Sequence, residues 1–468
     1  SANVAIGRQA LANNTTGTEN VSVGFNLYTN TTGDSNVAVG YRALYLNATT
    51  DSNTAIGHEA LYNNIAAGNT AVGKDALNAN TTGTENVAIG TDSLKTNTTA
   101  IRNTAVGYAS LTANVAANNT AVGYGALNAN STGADNIAVG YGAAELNTTG
   151  TRNIAIGPNA YNSSDTESDN LAIGYNAMTT NTAGGIKNVA IGNYSLDALT
   201  SGDNNTGVGY LSLSANNTGV SNTGIGSNSA RLITTGDFNT AVGAYSLSNA
   251  VGGDSNTAMG YSAVAENVDG THLTGFGYLA LQNNTASYNT ALGSLALKTN
   301  TSGERNLAIG YAAYTASDTE NDNLAIGYEA MTTNTAGGTA NIAVGNYALD
   351  ALTSADNCIG IGNNAGGAIT TGANNVAVGN SAGDAIVGGA NNTSLGFEAG
   401  TGVSGGNDNI CVGVASGAYG VTLTTGSRNI LIGNYSHGPD AASADAIVFG
   451  YNVGGANSTL SFGNATTD

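Results

Sequence analysis

The chain has no tryptophan, only two prolines and two cysteines, and charged residues make up 9% of it. Two cysteines cannot form a disulfide framework or the usual zinc-binding spacing. The 11 lysines and arginines are outnumbered by 31 acidic residues, which gives a net charge of −20. Nucleic-acid binding is therefore excluded, because phosphate contacts require clustered basic side chains. An extracellular location suits this acidity.

Long apolar runs are also missing, since none approaches the roughly 20 residues that cross a bilayer. We therefore expect no membrane insertion. The chain starts at Ser1 without methionine or a signal peptide. This start is typical of a processed product or of an excerpt from a longer protein.

Histidine is scarce as well: the three histidines, His58, His272 and His437, are far apart in sequence. In an elongated repeat fold they cannot form a histidine triad or a histidine-based metal cluster within one chain. We therefore predict that the protein is not an enzyme and has no catalytic, metal-ligating or cofactor-binding residues. The acidic turns "TGDSN" (residues 32–36) and "VGGDSN" (residues 251–256) could hold Ca²⁺ weakly, or they are simply solvated turns.

What the chain does contain is one repeated phrase, N-[T/V/I]-A-[V/I]-G-Y-x-A-L-x-x-N-T-T-G-x-x. The 27 copies have a mean length of about 17 residues. Position five is Gly in every copy, position four is always apolar, and position one is Asn except at Leu273, Cys358 and Ala446. Copies begin at residues 3, 20, 36, 53, 69, 86, 103, 119, 136, 153, 170, 188, 205, 222, 239, 256, 273, 289, 306, 323, 341, 358, 375, 392, 409, 429 and 446.

A longer duplication is superimposed on the repeat. The segment from Ser164, "SDTESDNLAIGYNAMTTNTAGG", returns from Ser317 as "SDTENDNLAIGYEAMTTNTAGG". The offset corresponds to nine repeats, which indicates that blocks of whole repeats were duplicated.

The repeat predicts an all-β fold, a parallel β-solenoid or β-roll of about 27 coils of 17 residues. The apolar content of 41% argues against disorder. "T-A-V-G" predicts a first strand, "A-L" a second, and "N-T-T-G" a turn, with successive coils about 4.8 Å apart. We expect a continuous repeat rod over residues 1–428. Residues 429–468 are expected to form irregular coils that lead into a C-terminal domain absent from this chain.

Neither side of the first strand carries charge, so we expect other copies of the chain to cover one of them. The small residues at positions three and five suit close approach of a second backbone. Alternatively, they only narrow a thin roll that covers them with its own second sheet. The candidate self-association face comprises Ala88, Gly90, Ala105, Gly107, Ala121, Gly123, Ala138, Gly140, Ala155 and Gly157.

Two further rows follow from the same alignment. The asparagines at position one are expected to form a structural ladder whose amides bond to the coils on either side. The ladder includes Asn86, Asn103, Asn119, Asn136, Asn153 and Asn170. Tyrosines at position six form an aromatic row that could bind glycans or a host surface, or that stiffens the molecule by stacking. The row includes Tyr108, Tyr124, Tyr141, Tyr175, Tyr210, Tyr261, Tyr278, Tyr311 and Tyr328.

The cysteines Cys358 and Cys411 are three coils apart, about 14 Å at the strand spacing, which is beyond disulfide reach. Both replace consensus residues near the first strand. We expect buried free thiols, with a contact between chains as the alternative.

"NVAIG" (residues 86–90), "NIAIG" (residues 153–157) and "NTAVGYGAL" (residues 119–127) resemble the head repeats of YadA-like trimeric autotransporter adhesins. The resemblance implies a left-handed parallel β-roll, three of which pack about a common axis in an extracellular homotrimer. The coils here are longer than the roughly 14 residues of that family. "NSTLSFGNATTD" (residues 457–468) resembles the segment before the self-cleaving chaperone domain of endosialidase-type tail fibres.

These features favour a non-enzymatic extracellular structural or adhesive rod, such as a phage tail-fibre shaft or a bacterial surface adhesin head. Its expected partners are other copies of itself and a host-surface glycan or protein. The alternatives are a filament subunit that polymerises end to end, and a monomeric solenoid that binds ice or glycan.

Overall fold

The computed structural model describes residues 2–419, 423–438 and 440–464. These residues form strands and turns, with no helix among them. The chain divides into two compact units, residues 1–237 and 238–468. Parts of the expected irregular segment, residues 439 and 465–468, lie outside the described residues.

The first unit contains fourteen strands within its described residues, each of three residues. They are β1 (Val4–Ile6), β2 (Val21–Val23), β3 (Val37–Val39), β4 (Thr54–Ile56), β5 (Thr70–Val72), β6 (Val87–Ile89), β7 (Thr104–Val106), β8 (Thr120–Val122), β9 (Ile137–Val139), β10 (Ile154–Ile156), β11 (Leu171–Ile173), β12 (Val189–Ile191), β13 (Thr206–Val208) and β14 (Thr223–Ile225).

The second unit also contains fourteen strands in the part of the chain that the structure describes, and its last two are longer. They are β15 (Thr240–Val242), β16 (Thr257–Met259), β17 (Thr274–Phe276), β18 (Thr290–Leu292), β19 (Leu307–Ile309), β20 (Leu324–Ile326), β21 (Ile342–Val344), β22 (Ile359–Ile361), β23 (Val376–Val378), β24 (Thr393–Leu395), β25 (Ile410–Val412), β26 (Ile430–Ile432), β27 (Ile447–Tyr451) and β28 (Leu460–Asn464).

Within each unit every strand pairs in parallel with the strand of the next repeat. Ile137 pairs with Ile154, Ala138 with Ala155, and Val139 with Ile156. Equivalent positions of successive repeats therefore lie beside one another, and each repeat makes one turn. The predicted parallel β-solenoid of about 27 turns is confirmed.

The second predicted strand, at "A-L", is wrong. Positions seven and nine adopt positive φ, as in Arg42 at 54° and Leu44 at 50°, so the backbone coils tightly where an extended strand was expected. Neighbouring turns are nevertheless hydrogen bonded here, since Leu44 N–H donates to Ala60 O at 3.0 Å. This side of the solenoid is a stack of turns, not a sheet.

The interior of each turn is narrow and filled by small side chains. Alanines at positions three and eight are buried, as are the leucines at position nine; Ala138, Ala143 and Leu127 are all fully inaccessible. Asparagines at positions one and twelve, such as Asn136 and Asn147, are buried beside them. The core is therefore part apolar and part amide.

This packing corrects the expected direction of the alanine row. The alanines of the predicted self-association face (Ala88, Ala105, Ala121, Ala138 and Ala155) are all 0% exposed inside their own chain. They cannot contact another copy, because the stacked turns of the same chain cover them. The alternative, in which small residues narrow a thin roll, is correct for these alanines. The structure that covers them is the stack of turns and not a second sheet.

The glycines of that predicted face (Gly90, Gly107, Gly123, Gly140 and Gly157) are half-buried and have a backbone role. Gly140 has a φ of +143°, and a Cβ there would lie 2.5 Å from Gly157 O. Only glycine adopts this conformation without strain. Position five is therefore fixed by the close stacking of one turn on the next.

Candidate functional site

The strand face, defined as the side chains at positions two and four of every strand, points away from the interior. In β9 the flanking residues Ile137 and Val139 are 40% and 36% exposed, whereas Ala138 between them is inaccessible. The same pattern of burial recurs along both units. The side chains at positions two and four thus form the outer surface of the sheet.

This strand face carries no charge in the described strands, and it is apolar except for the threonines at position two. Position four is Val or Ile in all fourteen strands of the first unit, and it is Val, Ile, Leu, Met or Phe in those of the second. Position two is Thr, Val, Ile or Leu throughout the described strands. Parallel register aligns these side chains into two straight columns along each unit.

The strand face is large enough to serve as an interface. In the first unit, fourteen partly exposed aliphatic side chains in one column, with their neighbours at position two, present on the order of 1,000 Å², and a standard interface needs about 800 Å² per partner. A monomeric soluble protein rarely exposes a contiguous apolar patch above a few hundred Å². The geometry therefore favours a surface that is covered in the working protein.

The asparagines at position one form a ladder of hydrogen bonds between turns. The Oδ1 atom of Asn136 accepts the backbone N–H of Asn153 at 2.9 Å, and Asn119 Oδ1 accepts from Asn136 in the same way. The Nδ2 group of Asn136 donates to Gly150 O at 2.8 Å, within its own turn. The amide thus bonds to one neighbouring turn and closes its own. The same Oδ1 contact joins Asn86, Asn103, Asn119, Asn153 and Asn170.

A second asparagine row, at position twelve, was missed by the sequence analysis, which assigned "N-T-T-G" to a turn. Asn147 Nδ2 donates to Asn130 Oδ1 at 2.8 Å and to Gly150 O at 3.1 Å. Gly150 O therefore accepts from the amides of both rows. The frequent recurrence of Asn inside a Thr-rich turn was the available signal, although other repeats carry residues such as Leu199, Ile233 or Ile369 at this position.

The tyrosine row at position six is exposed, and its rings touch from turn to turn. Tyr108, Tyr124 and Tyr141 stack with centroids 5.2 and 5.3 Å apart and planes within 15° of parallel. Other neighbours meet edge to face, as Tyr194 does with Tyr175 and with Tyr210. Tyr261 stacks on Tyr278, and Tyr311 on Tyr328. These contacts support the stiffening role, and the exposed ring edges remain accessible to a ligand.

Both cysteines are buried free thiols, as predicted. Burial raises the pKa of Cys358, and it raises the pKa of Cys411 to about 12. Cys358 replaces a ladder asparagine, and its Sγ lies 3.3 Å from Gly372 O, where an amide would otherwise donate. Neither thiol is placed for nucleophilic chemistry, because the thiolate form is disfavoured.

The duplicated segment contains buried acidic residues that the sequence analysis did not single out. Glu167 accepts the backbone N–H groups of Asp165 and Thr166 with Oε2, and that of Gly184 with Oε1 at 3.1 Å. Tyr161, also buried, donates to Glu167 O at 3.2 Å. Glu320 repeats these contacts in the second copy. The signal was a Glu at a position where the other repeats carry Gly, Ala, Thr or Ser, directly before an 18-residue repeat.

His58 lies beside two carboxylates, Glu59 and Asp75, and the ligand atoms of the three are within 4.8 Å of one another. The prediction that no histidine-based cluster forms within one chain considered histidines alone. It did not take account of the carboxylate that the next turn supplies, because sequence separation conceals this neighbour. His272 and His437 lie in other turns.

No helix among the described residues has the length and apolar character that crossing a membrane requires. No family model, curated protein or solved structure matches the chain.

Proposed function

We propose that this chain is a subunit of a non-enzymatic, extracellular fibrous rod, such as a phage tail-fibre shaft or a bacterial adhesin head. In this rod three copies pack with their strand faces toward a common axis. The observation that carries the proposal is the strand face itself, which is apolar and uncharged on successive turns yet lies outside the chain's own interior. The number three comes from the resemblance of the repeats to YadA-like heads.

A second copy of the same chain is the occupant that suits the strand face best. The net charge of −20 makes copies repel one another, and that repulsion is smallest where the contacting surface carries no charge. A periodic face is also complementary to itself along its whole length, since each turn presents the same side chains at the same spacing. Closed rotational symmetry would bury the face on every copy.

The adhesive part of the proposal rests on the tyrosine row. Its rings are 41–59% exposed and lie on a different part of the turn from the strand face. Packing through the strand face would leave this row available for a host-surface glycan or protein. Aromatic rings with a polar hydroxyl provide such contacts at low entropic cost.

The experiment is to measure the native mass of the full chain and of a double variant, Val122→Lys with Val139→Lys. These neighbours occupy one column of the strand face and pair in register. We expect three chains for the natural sequence and one for the variant, because two buried unpaired charges per chain would cost several kcal/mol at the interface.

The matched control is Thr132→Lys with Thr149→Lys, which adds the same charge at exposed positions on turns of the same repeats. It should keep the three-chain mass. Circular dichroism should show that the natural chain and both double variants are folded. A single-chain mass for the natural sequence at micromolar concentration would refute the proposal. An open ladder of masses would favour the end-to-end filament.

A further inference from the structure

Three side chains that carry metal-ligating atoms converge on the outer surface of two successive turns near the start of the chain. They are His58, Glu59 and Asp75, and one ligand atom from each lies within 4.8 Å of the other two. The His58 Nδ1 to Asp75 Oδ1 distance is 3.9 Å. Side-chain rotations that move each ligand atom inward by about 1 Å would place all three at the roughly 2.0–2.2 Å from a common ion that Zn²⁺ requires.

The solenoid brings them together through its register. His58 and Glu59 occupy positions six and seven of one turn, and Asp75 occupies position seven of the next. The backbone N–H of Asp75 donates to His58 O at 2.9 Å, which fixes one turn against the other. The site is therefore built on the regular turn stack and not on a separate loop.

Neighbouring side chains hold each ligand in place. The His58 ring stacks on Tyr41 at a centroid distance of 5.3 Å. Arg42 lies 3.5 Å from Glu59 Oε1, and Lys95 lies 3.3 Å from Asp75 Oδ2. Each cation contacts one oxygen of its carboxylate. Partners of this kind orient the ligands of a metal site.

Position seven carries a carboxylate on three successive turns, after Arg42 in the turn before them. Glu59, Asp75 and Asp92 occupy position seven of three successive turns, so like charges are stacked about one strand spacing apart. Like charges in directly neighbouring positions destabilise a sheet-like stack. Lys95 contacts both Asp75 and Asp92, which offsets only part of this repulsion.

We propose that His58, Glu59 and Asp75 form a surface site for a divalent transition-metal ion of the Zn²⁺ class. One imidazole nitrogen and two carboxylate oxygens form a ligand set that Zn²⁺ accepts, with water completing the tetrahedron. The imidazole discriminates against Ca²⁺, which takes oxygen ligands. The positive charges of Arg42 and Lys95 lower the affinity of the site for a metal cation, so we expect that affinity to be moderate. A bound ion links one turn to the next.

The test is titration of Zn²⁺ into the untagged full chain by calorimetry, with Co²⁺ absorption as a readout of tetrahedral coordination. We expect saturable binding of one ion per chain, with the absorption spectrum of tetrahedral Co²⁺. His58→Ala should weaken binding at least about tenfold, and Asp75→Asn similarly. Ca²⁺ at the same concentration should give no saturable signal.

The matched control is His272→Ala. His272 is exposed and stacks on Tyr288 at 5.2 Å, much as His58 stacks on Tyr41, but it is not part of a three-ligand group among the described residues. The control should bind Zn²⁺ as the natural chain does. Equal binding by the His58→Ala variant, or no binding by the natural chain, would overturn the proposal. The readout is ions bound per chain, so it does not depend on whether three copies associate.

Discussion

At the residue scale, conformations that favour glycine explain much of the repeat. Position five requires a φ that only glycine adopts easily, whereas positions seven and nine are left-handed but accept other residues. Gly125 and Gly142 occur at position seven, and Gly366 and Gly383 at position nine. These scattered glycines were the sequence signal that positions seven to nine form a turn and not a second strand. It was overlooked because "A-L" is also compatible with a strand.

Replacing two glycines of one turn separates these two roles. A Cβ at Gly123 would lie 2.6 Å from the carbonyl carbon of Gly140, whereas one at Gly125 meets nothing closer than 3.8 Å. We expect Gly123→Ala to lower the free energy of unfolding by about 3 kcal/mol and Gly125→Ala by about 1 kcal/mol. Chemical denaturation of the full chain and of each variant measures both changes in the free energy of unfolding. Equal losses would show that stacking of turns does not constrain position five.

Asp197 makes the free energy of unfolding depend on pH. Burial raises the pKa of this half-buried carboxyl to about 6, from an unfolded value of 3.8. Its protonated form stabilises the folded chain fully below pH 3.8, and this contribution is lost as the pH rises through 6. Asp197→Asn should therefore raise the free energy of unfolding by about 1 kcal/mol at pH 8, after allowance for solvent screening. The gain should vanish near pH 4.

The control for this titration is Asp169→Asn. The Arg152 guanidinium lowers the pKa of Asp169, so its contribution has the opposite sign and is present above the unfolded pKa. Denaturation at pH 4, 6 and 8 follows both variants. A gain for Asp197→Asn that is independent of pH would contradict the assigned cause.

At the scale of one turn, the sequence predicts the register and the position of the first strand well, but it does not predict which side of that strand is inside. Alternation shows that Ala138 and Gly140 share one side and that Ile137 and Val139 share the other. When both sides are apolar, alternation cannot assign the interior. The volume of the turn decides: a 17-residue coil closed by tight turns has room beside the strand mainly for small side chains such as alanine, with Leu431 and Val448 as larger exceptions near the end of the chain.

The 18-residue turns test how an insertion is accommodated. Glu167 accepts three backbone N–H groups around the extra residue, including that of Gly184. Glu167→Ala would leave these donors without their carboxylate, and each loss costs about 1–3 kcal/mol if water does not replace it. We expect local opening, measured as at least about tenfold faster hydrogen exchange of the Asp165, Thr166 and Gly184 amides.

Glu145→Ala is the control for that measurement. Glu145 is half-buried on the preceding repeat and accepts a hydrogen bond from Asn162 Nδ2 at 3.1 Å. Its removal should leave exchange around Gly184 unchanged. Unchanged exchange in the Glu167→Ala variant itself would show that the carboxylate does not stabilise the insertion.

At the scale of the whole molecule, the repeat explains why the predicted architecture holds while the predicted contact surface does not. Each turn is stabilised mainly by its neighbours, so a mean repeat of about 17 residues is enough to predict a solenoid. The surface that other copies would cover depends on which side chains point outward. That choice moves the proposed interface from the alanine row to the strand face, where aliphatic side chains are exposed.

Maleimide labelling of single cysteine variants tests this central claim most directly, since Cys358 and Cys411 are buried and should stay silent. Ala138→Cys, Val139→Cys and Thr149→Cys probe the interior, the strand face and an exposed turn of neighbouring repeats. We predict rapid labelling at position 149, none at 138, and at least about tenfold slower labelling at 139 than at 149 because another copy covers it. Equal rates at 139 and 149 in the native protein would contradict the account.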